Sequence, residues 1–234
     1  HANGFKPRTI NTLQGEIQLS IPQTRNGGFY PSCLEKGMRS VLSVSVELSE
    51  AAAHWRKFLE SLIARELHGV KLIVSDNHVG LKAARMSVFP SVPWQRCQFH
   101  LQQNATAHIP RKSMQQEVHN DIRDVFNMPT RSDAEIQLKK LIEKYGKTAP
   151  DLSSWLENEL PEGFTVFNVE PDSLNARRKL RTTNMVEFQN KELKKRTRCI
   201  RVFPNKESLL RIATALLIEL DEKWLADGKV YLKG

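Results

Sequence analysis

The sequence predicts an α/β fold, because runs with strand character alternate with helical apolar stripes through residues 41–97. Two further observations complete the outline: residues 98 to about 160 turn helical in pattern, and basic residues gather near the end. A strand–helix–strand–helix–strand order places successive strands parallel, with crossover helices between them.

Residues 9–12 and 16–21 flank Gly15 in a hairpin-like pattern, with Gln18 and Ser20 alternating with Leu19 and Ile21. Pro22, Gly27, Gly28 and Pro31 then break regular structure, so 1–40 reads as an N-terminal remnant with little core of its own. Residues 41–48 (VLSVSVEL) alternate apolar and small polar side chains and predict a strand. Ser49 is placed to cap a helix through Glu66, with Trp55, Phe58, Leu59, Leu62 and Ile63 on its apolar stripe and Gly69 stopping it. Residues 70–75 predict a second strand ending at Asp76. Residues 80–89 predict a short helix closed by Pro90, and 92–97 a third strand. Thus 41–97 forms the first part of the α/β core. A helical insertion with breaks at Pro110, Pro129 and Pro150 fills 98–170. Its clearest helix, 132–145, turns Ile136, Leu138, Leu141 and Ile142 inward, and 164–168 reads as one more strand. The last part, 171–234, holds a helix over about 183–196 and an amphipathic helix capped by Asn205 and running through Trp224.

The chain has 234 residues and a formal net charge of +9. Between Arg177 and Arg211 stand twelve Lys/Arg and three acids, so that segment carries the entire surplus. Such concentration is the electrostatic footprint of a polyanion-binding surface; a merely solvated face usually mixes both signs. The cluster comprises Arg177, Arg178, Lys179, Arg181, Lys191, Lys194, Lys195, Arg196, Arg198 and Arg201. No apolar run approaches the roughly 20 residues of a membrane span. No signal-peptide pattern opens the chain, although it begins in mid-pattern at His1, as a fragment would. Three scattered cysteines, Cys33, Cys97 and Cys199, form no disulfide framework and suit a reducing cytoplasm.

Two acids are candidates for chemistry. Asp76 follows a buried strand, at the sheet edge where α/β folds bind ligands; its alternative role is to cap the next helix. Glu187 lies about one turn into a helix preceded by Arg181, Thr182, Thr183 and Asn184, a spacing that also makes a capping box. Lys191 and Lys194 follow it at helical spacing, where they either neutralise the acid or hold phosphates beside a metal. Cys97 and His100 have the spacing of half a zinc site, or form a buried cysteine with a hydrogen-bonded histidine. Trp55, Trp94 and Trp224 read as packing residues.

With these residues in view, the sequence resembles the Mutator-type transposases of bacterial insertion sequences. The resemblance lies in 1–31 (HANGFKPRTINTLQGEIQLSIPQTRNGGFYP), 44–62 (VSVELSEAAAHWRKFLESL), 69–84 (GVKLIVSDNHVGLKAA), 93–104 (PWQRCQFHLQQN), 181–198 (RTTNMVEFQNKELKKRTR) and 203–217 (FPNKESLLRIATALL). It implies a ribonuclease-H-like (integrase-type) sheet with a helical insertion before the last catalytic acid. It also implies three acids, two Asp and one Glu, that bind Mg2+ or Mn2+ and cleave and rejoin DNA. Asp76 matches the second Asp, Glu187 the Glu, and Cys97 with His100 a Cys-x-x-His element. The expected partners are terminal inverted repeats, target DNA and further copies of the chain, in the bacterial cytoplasm at the nucleoid. One departure stands out. No Asp precedes Asp76, and Met38-Arg39-Ser40 runs directly into Val41-Leu42-Ser43. The sheet is therefore expected to be incomplete, through an internal deletion near Ser40/Val41. The expected function is a transposase lacking its first catalytic Asp and hence defective, or else a non-catalytic DNA-binding inhibitor of intact transposase.

Overall fold

The computed structural model describes residues 5–12, 15–22, 32–35, 38–45, 51–169, 174–197 and 203–228. Strands β1 (Phe5–Thr12), β2 (Gly15–Pro22), β3 (Ser32–Glu35) and β4 (Met38–Val41) come first. Helix α1 (Ala52–Ala64), strand β5 (Ile73–Ser75), helix α2 (Val79–Val88) and strand β6 (Trp94–Arg96) follow. Then come helices α3 (Gln98–Ala105), α4 (Gln115–Asn127), α5 (Arg131–Gly146) and α6 (Pro150–Glu159). Helices α7 (Leu174–Leu180), α8 (Asn184–Thr197) and α9 (Lys206–Asp227) complete the described chain. The chain divides into two compact units: 1–68, 78–90 and 184–234 form the first, 69–77 and 91–183 the second.

In the first unit β1 and β2 pair antiparallel, from Phe5 opposite Pro22 to Thr12 opposite Gly15, as the hairpin pattern predicts. Strands β3 and β4 form a second antiparallel pair. Helix α1 buries Phe58, Leu59 and Leu62 against Leu81 and Ala84 of α2. Ile63, expected on that stripe, is 44% exposed. The end of α1 also differs from expectation. The Leu67 N–H reaches the Leu62 carbonyl and the Glu66 N–H the Ile63 carbonyl, a Schellman closure. That closure places Glu66 in the left-handed region at φ 68°, three residues before Gly69, which also has a positive φ. Helix α8 packs Leu193 against Ala213 and Leu217 of α9. Asn205 caps α9 as predicted, its Oδ1 accepting the Ser208 N–H at 2.8 Å.

In the second unit β5 and β6 pair in parallel, Ile73 opposite Trp94 and Ser75 opposite Arg96. The α/β class holds, but the described parallel sheet has two strands and most of the chain is helical. Residues 42–45 do not join it as a third strand. The Val41 N–H goes instead to Asp221 Oδ1 on α9 at 2.7 Å, and the Leu42 carbonyl accepts from Arg65 at 3.0 Å. These side chains take two backbone groups that a further strand could have used. Residues 46–50, which include Ser49, lie outside the described chain.

The helical insertion encloses a core built on Leu101, Val118, Ile122, Leu141, Leu152 and Phe164. On α5 the buried face runs through Ala134, Leu138, Leu141 and Tyr145, while Ile136 points outward. Tyr145 can enter this core because its hydroxyl donates to Asp121 at 2.5 Å. Residues 165–168, expected as a strand, form a 3-10 turn (Thr165–Asn168). The reason is local: Thr165 Oγ1 donates to the Trp94 carbonyl, and the Val166 N–H to Gln95 Oε1, so the turn is fastened by side chains.

A non-glycine residue with positive φ carries a steric penalty that glycine lacks. Glu66→Gly should therefore raise stability by up to ~1 kcal/mol. A urea denaturation midpoint that fails to rise contradicts this account of the helix end.

Candidate functional site

Strand β5 carries the chain to Asp76. The Ile73 N–H meets the Pro93 carbonyl at 3.0 Å, and the Cys97 N–H meets the Ser75 carbonyl at 2.7 Å. Trp94 Nε1 donates to Ser75 Oγ at 2.9 Å, so this tryptophan has a structural partner at the strand end. Asp76 follows directly, half-buried. Its alternative role as a helix cap is taken by another residue: His78 is the N-cap of α2, its Nδ1 accepting the Leu81 N–H at 3.4 Å. Among the described residues the Asp76 carboxylate forms no salt bridge. Its oxygens are hard donors of the kind that Mg2+ and Mn2+ take.

Glu187 lies in the first turn of α8. Asp76 belongs to the second unit and Glu187 to the first. Among the described residues no group of three or more His, Cys, Asp or Glu side chains is arranged to hold a metal ion.

Cys97 and His100 are brought together. Cys97 is fully buried where β6 passes into α3. Its sulfur accepts the Thr183 N–H at 3.4 Å and the Thr183 hydroxyl at 3.3 Å. Burial pushes this thiol up, but the hydrogen bond and charge of His100, with the two Thr183 donors, outweigh it, and the net shift is downward. Thr183 stands in the sequence among candidate caps of the following helix; nothing in its spacing from Cys97, 86 residues away, announces this contact.

The basic cluster divides into two sets. Arg177 is 8% exposed, reaches the Met128 carbonyl at 3.5 Å, and lies over the Phe167 ring. Arg181 donates to the Phe126 carbonyl at 3.0 Å and to Asn127 Oδ1 at 3.1 Å. Both therefore serve the carbonyls at the carboxyl end of α4, where unpaired acceptors and the helix dipole favour a cation. Burial, then the charges of Arg178 and Arg177, lower the Arg181 pKa to about 10, still cationic at neutral pH. Arg178, Lys179, Lys191, Lys194, Lys195 and Arg196 are exposed. On α8 the residues Val186, Gln189, Asn190 and Leu193 face inward, leaving Lys191, Lys194 and Lys195 on the outer side. Arg196 is held by Glu219 of α9 at 2.8 Å. Arg198 and Arg201 lie outside the described residues, as does Cys199. Among the described residues no helix is long and apolar enough to cross a membrane.

The sequence profile described as "Transposase, Mutator family" matches residues 1–39 and 33–227. The chain belongs to the Mutator family of transposases. It is 36% identical to the transposase for insertion sequence element IS406 of Burkholderia multivorans, over 99% of this chain and 84% of that protein. It is 36% identical to the transposase for insertion sequence element ISRM5 of Rhizobium meliloti, over 81% of this chain and 46% of the relative. With the transposase for IS256 in transposon Tn4001 of Staphylococcus aureus the identity is 30%, over 84% of this chain and 50% of the relative. The chain thus aligns with about half the length of these last two Mutator-family proteins. The Burkholderia alignment runs over 330 positions against 234 residues here, so on the order of a hundred of its positions face no residue of this chain. That shortfall, and a family match in two stretches that meet at residues 33–39, agree with a missing internal segment near Ser40.

The lowered thiol pKa has a testable sign. A group whose pKa falls on folding adds stability above its unfolded value, and loses it as pH drops through the folded value. In a Cys33→Ser, Cys199→Ser chain, thiolate absorbance of Cys97 should rise at a midpoint below the ~8.5 of a free cysteine. Stability relative to Cys97→Ser should be greater at alkaline pH than at pH 6. A midpoint above that of free cysteine would show that burial prevails.

Proposed function

We propose that this chain is a shortened insertion-sequence transposase that retains DNA binding and has lost efficient DNA cleavage. The observation that carries the reading is the partition of charge on α8. Its inner face packs against α9, and its outer side presents Lys191, Lys194 and Lys195, with Glu192 half-buried between them. In this reading those lysines, with Arg178, Lys179 and Arg196, contact phosphates. Arg177 and Arg181 instead hold the segment in place, and Arg198 and Arg201 extend the same basic run.

The resemblance supports the rest. In this reading β5 and β6 are the remainder of a ribonuclease-H-like sheet, and Asp76 and Glu187 are two of the family's three acids, binding Mg2+ or Mn2+. A pair of divalent ions would stabilise the attacking and leaving oxygens of phosphoryl transfer. With no Asp before Asp76, one carboxylate of that ligand set is missing. Binding to terminal repeats and target DNA, self-association on paired ends, and residence at the bacterial nucleoid follow from this same reading. The absent Asp also favours a second role: a chain that occupies DNA or pairs with intact transposase without cutting acts as an inhibitor.

If about six cations meet phosphates, log K should fall with log salt at a slope near −5 on duplex DNA. Lys194→Ala with Lys195→Ala should flatten that slope by about two units and weaken all sequences alike, since phosphate contacts carry no base information. Unchanged affinity removes α8 from the interface. In a strand-transfer assay with Mg2+ or Mn2+ and terminal-repeat DNA, the purified chain should give no product. Robust cleavage abolished by Asp76→Asn would refute the loss of activity.

A further inference from the structure

The Cys97/His100 pair has no task in the function proposed above, yet its surroundings are specific. The Cys97 N–H returns to the Ser75 carbonyl at 2.7 Å, one residue before Asp76. Its sulfur takes both donors of Thr183, four residues before Glu187. His100, one turn along α3, hydrogen-bonds the same sulfur. Beside it the Gln98 N–H meets the Arg181 carbonyl at 3.0 Å, fastening the same returning segment. All these contacts lie within the second unit. One buried residue therefore joins the chain that runs into Asp76 to the chain that runs into α8.

Zinc does not account for this arrangement. Among the described residues no third His, Cys, Asp or Glu joins the pair in a metal-binding group. The sulfur is directed at backbone and hydroxyl donors, and no part of it reaches solvent. A sulfur suits the role because it accepts two donors from one residue at 3.3 and 3.4 Å. An oxygen on the shorter serine side chain would stand farther from both.

We propose that Cys97 is a positioning residue: its sulfur, oriented by His100, grips Thr183 and so sets where α8 begins. The grip itself stands independently of any DNA chemistry. Its consequence for metal binding rests on the roles proposed above for Asp76 and Glu187.

Hydrogen exchange on the full chain tests the grip, comparing the parent with Cys97→Ala, Cys97→Asp and Thr183→Val. In Cys97→Ala the amides of 181–190 should exchange roughly tenfold faster, the scale expected for losing a buried hydrogen bond, while the α4–α6 helices keep their protection. Cys97→Asp keeps a hydrogen-bond acceptor at this position and should restore slow exchange, an outcome that mere volume filling by the sulfur does not predict. Thr183→Val should give an intermediate rate. Unchanged exchange at 181–190 in Cys97→Ala, or equal loss in Cys97→Asp, overturns the proposal. Should Cys97→Ala unfold the whole second unit, Thr183→Val decides: local acceleration supports the grip and unaltered exchange overturns it. Mn2+ affinity, measured in parallel, should weaken in Cys97→Ala and recover in Cys97→Asp. A parent chain that binds no Mn2+ strikes down the metal-holding role of the two acids, while the exchange result still judges Cys97.

Discussion

A parallel pair of three-residue strands cannot stand by itself in water, and in the second unit buried polar side chains on and after β6 hold it. Gln95 donates to the Arg96 carbonyl and accepts the Val166 N–H, both within 2.8 Å. Arg96 pairs with Glu159 and with Glu162, the latter at 3.0 Å. Gln98 Nε2 donates to the Gly163 carbonyl at 2.8 Å. Apart from the local Gln95–Arg96 bond, these tie the strand, or the helix that follows it, to the end of the insertion 63 to 71 residues later in the chain. Burying such groups is costly unless they are paired. Removing one partner is therefore far worse than never having had the pair. The insertion is thus more than an appendage: its last turns complete the hydrogen bonding of the sheet that presents Asp76.

The same logic separates the arginines from the lysines. Arg177 and Arg181 place a planar, multi-donor group against the carbonyls that end α4, where geometry and dipole reward it. Lys191, Lys194 and Lys195, with flexible stems and compact charges, remain on the outer side of α8. A basic segment of one apparent kind is therefore two sets, one that folds the chain back and one that stays at the surface.

The residues around Ser40 have their own contacts in the first unit. Ser40 and Val41, the residues at the proposed junction, both bond to Asp221: the hydroxyl at 3.3 Å and the amide at 2.7 Å. An alternating apolar sequence such as VLSVSVEL needs a neighbouring strand to act as one. Here residues 42–45 form no strand, and a carboxylate on α9 takes the Val41 amide. The strand expected from the alternation is not borne out where the chain is described.

From residues alone one could read the α/β class, the hairpin, the positions of α1, α2, α5, α8 and α9 to within a few residues, the Asn205 cap, and the family. These features rest on local periodicity, capping chemistry and motif order, which a linear sequence displays. Tertiary structure decided which apolar residues of α5 turn inward, that His78 and not Asp76 caps α2, that 165–168 is a turn, and which arginines are buried. It also decided that Thr183 is the partner of Cys97. Every one of these depends on groups tens of residues apart or on competition for a single hydrogen bond, and local pattern holds no record of either.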